Sequence, residues 1–115
     1  MNGAPVKVLF VCSRNRWRSP TAERLFDGVP GVQARSAGTE AGARVRVNEK
    51  ILGWADVIFC MERRHVQRLR ERFDTVLASK ELHVLDVPDD YEYMDPELLD
   101  ALRTALSGFG LLLTG

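Results

Sequence analysis

A short apolar run that leads into an arginine-rich loop constrains this chain more than any other part of its sequence. Residues 8–20 read VLFVCSRNRWRSP. The apolar, β-branched start predicts a buried strand over 7–11. Ser19 is typical of a helix N-cap and Pro20 of the first helical position, so a helix is predicted over 18–27. The loop between them then lies beyond the carboxyl end of a strand, where open α/β sheets bind their ligands.

Short apolar runs and helical periodicity alternate along the rest of the chain. Strands are predicted at 32–37, 56–61 and 82–87, and helices within 40–53, 63–73 and 96–106. Strands that alternate with helices form a parallel sheet with right-handed crossovers. The 115 residues are enough for one core, so we expect a single domain over 1–115.

Composition excludes several classes of protein. Hydrophobic residues make up 45% of the chain and charged residues 28%, which argues against a disordered chain, a collagen or a coiled coil. No apolar run approaches the roughly 20 residues of a membrane span, and we expect no signal peptide. Cys12 and Cys60 make no disulfide framework. We therefore expect a cytoplasmic protein with reduced thiols and no membrane partner.

Charge is unevenly distributed along the chain, although the net charge is zero. Residues 1–73 carry 14 Lys and Arg against 7 Asp and Glu, whereas residues 74–115 carry 2 against 9. Either the two halves simply attract each other, or they form a basic site for an anion with acidic groups at its edge. The arginines of 63–73 predict a solvated helix face, so we expect no nucleic-acid partner.

The loop of residues 12–19 has the chemistry of an oxyanion site. Backbone N–H groups at a strand-to-helix turn form a concave nest, and the helix N-terminus adds positive potential. The same field favours the thiolate form of Cys12, and the planar guanidinium of Arg18 can bind two oxygens of a tetrahedral anion. Ser19 can hydrogen bond the sulfur, and Asn15 tolerates a left-handed backbone. The alternative is a buried and inert Cys12.

These residues resemble the signature of the low-molecular-weight protein tyrosine phosphatases, and the likeness extends to 36–39, 55–62 and 84–91. The resemblance implies an α/β fold with a four-stranded parallel sheet, helices on both faces and a phosphate-binding loop after the first strand. It implies that Cys12 is the nucleophile and that Arg18 clamps the phosphate. The loop residues around the phosphate are then Ser13, Arg14, Asn15, Arg16, Trp17 and Ser19.

The chain departs from the family pattern at several positions. Arg14 stands where the family has glycine, and Trp17 where a second cysteine is frequent. The acid loop has Asp89 and Asp90 in place of Asp-Pro, and the segment between the second and third strands is short. The phosphatase chemistry therefore transfers from the resemblance, whereas phosphotyrosine specificity does not.

A general acid is needed to protonate the leaving group of a phosphate ester. Asp89 matches the acid position of the family, and we predict it in this role. Asp90 and Asp95 are the alternatives, although Asp95 stands before Pro96 and is better explained as a helix N-cap.

The sequence thus predicts a phosphomonoesterase that works through a cysteinyl-phosphate and needs no metal or other cofactor. Its partner would be a phosphorylated substrate, either a phosphotyrosine protein or a small phosphate ester. Two alternatives stay open: an arsenate reductase-like oxyanion enzyme, for which Cys60 is the one further thiol, and a non-catalytic, phosphate-dependent binding module. Arg14 and Arg16 either contact extra negative charge on the substrate, or they point to solvent or pair with Asp89, Asp90 or Glu92.

Overall fold

The computed structural model describes residues 4–112, which form a four-stranded parallel sheet with helices packed on it. The strands are β1 (Val6–Cys12), β2 (Val32–Gly38), β3 (Val57–Cys60) and β4 (Glu81–Val84). The helices are α1 (Arg18–Leu25), α2 (Glu49–Trp54), α3 (Arg63–Leu77) and α4 (Pro96–Leu106), followed by a 3-10 segment at Ser107–Leu112. The strand order β2-β1-β3-β4 confirms the predicted fold class. Residues 1–3 and 113–115 of the expected domain lie outside the described range.

Successive side chains of β1 point alternately into two apolar cores, one on each face of the sheet. Phe10 faces α1 and α4, where it stacks on Phe26 and packs in one cluster with Leu102. Leu9 points the other way, into a cluster with Leu69 of α3 and with residues of α2. Because helices cover both faces, the central strands are apolar at nearly every position, as buried parallel strands require.

The fourth strand is shorter than the predicted 82–87. It pairs with β3 only as far as Val84, and two residues later Asp86 has a left-handed backbone with a φ of 57°. The chain still follows β3, since the Leu85 N–H donates to the Cys60 carbonyl oxygen at 2.9 Å. The residues after β4 are therefore held at the carboxyl end of the sheet, with Leu85 and Val87 buried in the same core cluster as Phe10.

α4 matches its sequence signals, whereas α3 is longer than predicted. α4 occupies the predicted 96–106, and its N-cap is Asp95, whose carboxylate accepts the Glu97 N–H at 2.9 Å. α3 runs beyond its predicted end to Leu77 and is kinked at Phe73, where φ is −134° and ψ is 31°.

A close approach at Gly38 fixes how the loop after β1 meets the segment after β2. Gly38 is the register partner of Cys12. A Cβ atom built on Gly38 would lie 2.6 Å from the Ser13 carbonyl oxygen and 2.7 Å from the Ala43 Cβ. Both contacts are far inside van der Waals distance, and the first is to rigid backbone. Only glycine therefore lets these two segments pack together.

We expect Gly38→Ala to lower the free energy of unfolding by about 1–3 kcal/mol, the usual cost of forcing extra atoms into a packed site. Denaturant unfolding measures it. Gly53→Ala is the matched control, because no atom lies within 4 Å of a Cβ there and the position is in α2. Alanine should stabilise that helix by roughly 0.5–1 kcal/mol. Equal effects of the two substitutions would contradict the packing argument.

Candidate functional site

The sulfur of Cys12 lies at the end of β1, buried and surrounded by hydrogen-bond donors. The Asn15 N–H donates to Sγ at 3.2 Å, and the Ser19 hydroxyl lies 2.9 Å from it. The Asn15 side-chain amide donates to that hydroxyl at 2.9 Å, and the Ala37 carbonyl oxygen lies 3.4 Å from it. The Ser19 proton can therefore point to Ala37 when the sulfur carries a proton, and to the sulfur when it is a thiolate. In the second arrangement the sulfur accepts two hydrogen bonds, one from the Asn15 N–H and one from the Ser19 hydroxyl.

The carbonyl groups of the loop are bound from behind by the segment that follows β2. The Cys12, Ser13 and Arg14 carbonyl oxygens accept the N–H groups of residues 39, 40 and 44, each at 3.0 Å. The Arg44 Nε–H donates to the Asn15 carbonyl oxygen at 3.2 Å. Among the described residues, no protein acceptor takes the N–H groups at positions 14, 16 and 17. Unpaired amides next to a helix N-terminus form the anion nest that the sequence predicts.

Asn15 is the loop residue with a left-handed backbone, at a φ of 56°. The prediction that Asn15 supports the loop is thus consistent with its geometry. Arg14 has no positive φ, so the position where related sequences have glycine does not require one here. Its side chain extends outward and forms an ion pair with Glu40 at 3.4 Å.

The predicted N-cap role of Ser19 is wrong. α1 begins at Arg18 with Trp17 at the N-cap, and no side chain caps the helix. Ser19 is fully buried inside the first turn, with its hydroxyl directed at Cys12. The serine gives up local capping because the sulfur and the Asn15 amide supply its partners instead. The helix N-terminus consequently keeps its free N–H groups.

Arg18 is 2% exposed and joins the loop to two other strand ends. Its Nη1 donates to Glu62 Oε1 at 2.7 Å and to the Val87 carbonyl oxygen at 2.9 Å. Burial raises the pKa of Glu62, but the hydrogen bonds and charges of Arg18 and Arg64 outweigh that effect and hold the pKa below its ordinary value. Glu62 is therefore a carboxylate that fixes the guanidinium in place.

His65 supports the loop from the N-terminus of α3. Its Nδ1 accepts the Glu62 N–H at 3.0 Å, so the proton of the neutral ring is on Nε2. Nε2 then donates to the Ser13 hydroxyl oxygen, 2.9 Å away. Burial, followed by the positive charges of Arg18 and Arg64, lowers the pKa of His65 from 6.5 to about 4. Because the imidazole occupies one lone pair of Ser13, the hydroxyl proton is free to point into the cavity beside Cys12.

A cavity of about 300 Å³ opens over the sulfur. Its lining brings together most of the predicted site, namely Cys12, Ser13, Arg14, Arg16, Trp17 and Arg18, together with Glu40, Arg64 and Asp89. Asn15 and Ser19 lie beneath it. Trp17 is 44% exposed at the rim. The cavity is thus strongly basic, with two carboxylates at its edge, which favours the interpretation of the charge asymmetry as an anion site.

The three candidate acids occupy different positions. Asp89 lines the cavity, half exposed, with Oδ1 3.7 Å from Arg18 Nε. Asp90 is exposed and does not line the cavity. Asp95 caps α4. Of the three, Asp89 alone lines the cavity and lies beside the guanidinium.

Several residues of the site were not predicted. Glu62 lies in the turn between β3 and α3, His65 in the first turn of α3, and Arg44 in the segment after β2, all distant in sequence from Cys12. The polar start of α3 directly after an apolar strand was a usable signal for Glu62, because strand ends in parallel sheets meet at one edge. Nothing in the sequence pairs His65 with Ser13.

Cys60, the second thiol, lies in β3 and is buried in the core with Leu9 and Ile58. Burial raises the pKa of its thiol to about 12. Within residues 4–112, no three His, Cys, Asp or Glu side chains are grouped so that they could hold a metal ion. No helix in that range is long and apolar enough to cross a membrane.

Burial of neutral His65 makes the stability of the fold depend on pH. The unfolded imidazole binds a proton near pH 6.5, whereas the folded one binds it near pH 4. Its contribution to the free energy of unfolding is full above pH 6.5 and is lost as the pH falls to 4, by up to about 3 kcal/mol. Denaturant unfolding measured across that range should show that the free energy of unfolding depends less steeply on pH in His65→Gln than in the unmodified protein. Ser13→Ala keeps the buried imidazole and should keep the unmodified dependence on pH. If His65→Gln also keeps that dependence, the assignment to His65 is wrong.

No protein-family model matches the sequence. A protein-arginine-phosphatase from Geobacillus stearothermophilus is 30% identical, over 60% of this chain and 63% of the relative. The chain thus matches less than two thirds of the length of that relative.

Solved structures match over nearly the whole chain. The low molecular weight protein tyrosine phosphatase of Streptococcus pyogenes superposes with a TM-score of 0.76 at 18% identity, covering 94% of this chain and 93% of that one. Wzb of Vibrio vulnificus, solved in complex with benzylphosphonate, gives 0.73 at 20% identity, covering 94% and 99%. A YwlE arginine phosphatase variant with a phosphorylated active-site serine gives 0.71 at 20% identity, covering 95% and 96%. The resemblance found in the sequence is therefore confirmed at the level of the fold: this chain has the fold of the low-molecular-weight protein tyrosine phosphatases.

Proposed function

We propose that the protein is a cysteine-dependent phosphatase that hydrolyses phosphate monoesters or phosphoramidates through a cysteinyl-phosphate. The observation that carries this proposal is the placement of Cys12, Arg18 and Asp89 on one basic cavity, with unpaired loop amides around it. A nucleophile, an oxyanion clamp and a proton donor are the three parts that such a reaction needs.

In the first step the phosphoryl group binds in the loop, with its oxygens on the loop amides, the Arg18 guanidinium and the Ser13 hydroxyl. The Cys12 thiolate attacks phosphorus in line with the leaving atom, so the S–P bond forms as the bond to the leaving oxygen or nitrogen breaks. Asp89 acts as the general acid and passes a proton to the leaving atom, while Ser19 stabilises the sulfur.

In the second step water hydrolyses the cysteinyl-phosphate. The Asp89 carboxylate accepts a proton from the water, whose oxygen attacks phosphorus as the S–P bond breaks. Cys12 leaves as a thiolate, which the Ser19 hydroxyl and the Asn15 N–H receive. The cycle returns to its starting state with inorganic phosphate released and needs no reductant.

The substrate class that we propose is a phosphorylated protein side chain, phosphotyrosine or phosphoarginine. The similar proteins include phosphatases of both kinds, by name. A small phosphate ester fits the same cavity and is the broader alternative. We also place the protein in the cytoplasm, where a thiolate nucleophile stays reduced. The arsenate reductase alternative is not favoured, because Cys60 is protonated in the core and cannot relay electrons to Cys12.

Cys12→Ser should abolish turnover of an aryl phosphate while phosphate or vanadate still binds, because the amides and Arg18 remain. Phosphate release measures the turnover, and isothermal titration calorimetry measures the binding of phosphate or vanadate. Cys60→Ser is the matched control and should retain activity, since that thiol is buried in the core cluster on the other face of the sheet from Cys12. Residual turnover in the Cys12 variant would remove the covalent mechanism. Binding without turnover in the unmodified protein would instead indicate a phosphate-dependent binding module.

Asp89→Asn should slow the release of a poor leaving group, such as an alkyl alcohol, by about 10²–10⁴-fold, since general acid catalysis is lost. A good leaving group such as p-nitrophenol should suffer much less. The control is Asp90→Asn, which removes the neighbouring exposed carboxylate and should change neither rate. If the dependence on the leaving group follows Asp90, the acid has been assigned to the wrong residue.

A further inference from the structure

A second, larger cavity of about 930 Å³ lies beside the catalytic one and shares two lining residues with it, Arg16 and Trp17. It runs between α1 and the outer side of β2, and its floor includes β2 residues 32–35. Half-exposed Tyr93 lies on its wall. A substrate that reaches out of the catalytic cavity past Trp17 would enter this groove.

The groove follows an open sheet edge. β2 is the first strand in the order β2-β1-β3-β4, so no described strand lies on its outer side along the groove. In a parallel ladder, alternate residues direct both backbone groups to the same side. The Thr39 N–H donates inward to the Cys12 carbonyl, whereas both backbone groups of Gly38 bond outward, to Val45 and Val47. Counting back by twos from Gly38, the N–H and C=O of Ala34 also point outward, to the groove.

The charge of the groove is positive. Its lining has the four arginines Arg16, Arg24, Arg35 and Arg44, against the two acids Glu23 and Asp27. The Ser36 hydroxyl already donates to Glu23, which occupies one oxygen of that carboxylate. Arg35 lies over the Trp54 ring at 4.6 Å, a contact that holds its guanidinium beside the strand.

We propose that this groove binds an acidic, extended segment of a protein substrate next to its phosphorylated residue. The segment adds to the open edge of β2 through Ala34, its carboxylates face Arg24 and Arg35, and its phosphorylated side chain enters the cavity of Cys12. Strand addition to an exposed edge is an established mode of peptide recognition. Gly38 pairs with Cys12 in the sheet and so marks the position of the catalytic cavity along β2. It lies about 13 Å from Ala34 along the strand. The acidic residues of the segment therefore lie about three to five positions from the phosphorylated one.

This inference rests on the proposed phosphatase activity, and the experiment separates the two. Binding is measured with Cys12→Ser, by calorimetry, for phosphotyrosine and phosphoarginine peptides that carry either two Glu or two Gln three to five positions before or after the modified residue. Two exposed arginine–carboxylate pairs should make the better Glu peptide bind about fivefold more tightly than its Gln partner. Turnover of an aryl phosphate by the unmodified protein tests the activity independently.

Arg24→Glu and Arg35→Glu, each in the Cys12→Ser background, should reduce or abolish the preference for Glu. In the unmodified background they should leave aryl phosphate turnover within about twofold, because neither residue lines the catalytic cavity. Arg70→Glu, the same charge change on the solvated face of α3, should leave the preference intact. Equal affinity for Glu and Gln peptides would overturn the proposal even if the aryl phosphate is hydrolysed, and loss of aryl phosphate turnover would overturn the activity even if the preference persists.

The strand contact has its own readout. Hydrogen exchange of the Ala34 amide in the Cys12→Ser protein should slow on saturation with the Glu peptide, while amides at α3 stay unchanged. If the exchange rate of the Ala34 amide does not change, strand pairing at this edge is ruled out. Slow exchange that depends on protein concentration and not on peptide would show instead that a second copy of the chain covers the edge, and sedimentation velocity would detect that dimer.

Discussion

The buried guanidinium of Arg18 is the constraint on which the arrangement of the site depends. A buried positive charge is costly unless it is paired and fully hydrogen-bonded. Arg18 finds its partners on two strand ends other than its own, at Glu62 after β3 and at the Val87 carbonyl after β4. Satisfying this one charge therefore holds the carboxyl ends of three strands in register. It also brings the segment that carries Asp89 to the edge of the cavity.

In the loop after β1, the carbonyl groups and the N–H groups have different surroundings. Its carbonyl groups are bound from outside by residues 39–44, and the tight contact at Gly38 keeps that segment in place. Its free N–H groups therefore face the cavity, where no described acceptor meets them. The left-handed backbone of Asn15 lets the loop turn at this position. The Asn15 N–H donates to the Cys12 sulfur, and its side-chain amide donates to the Ser19 hydroxyl. The anion site is thus built before any anion binds, which lowers the reorganisation that binding requires.

The sequence predicted what is encoded locally and missed what depends on distant segments. Periodicity located the helices and strands because each buries a face with a fixed repeat, and the loop from Cys12 to Ser19 was complete within one short motif. The cap at Ser19 was predicted wrongly because tertiary partners outcompeted the local preference. The fourth strand was predicted to be longer than it is, because the sequence keeps alternating as far as Val87 whereas the backbone turns left-handed at Asp86. Glu62 and His65 were missed because a single sequence does not reveal contacts between segments 44 to 52 residues apart.

Arg14 and Trp17, where the sequence departs from the pattern of the low-molecular-weight protein tyrosine phosphatases, both line the cavity. Arg14 replaces a glycine without strain because the left-handed position is Asn15. Its side chain is exposed, as one of the open alternatives expected, and it pairs with Glu40 instead of Asp89, Asp90 or Glu92. Arg16 is the loop arginine that lines both cavities, so the prediction of extra negative charge on the substrate now rests on Arg16 and on the groove beyond it. Trp17 stands where a second thiol is frequent, and the remaining thiol of Cys60 is held protonated in the core. The loop therefore has a single sulfur, that of Cys12, and its Arg14, Arg16 and Trp17 side chains give the mouth of the cavity positive charge and aromatic surface.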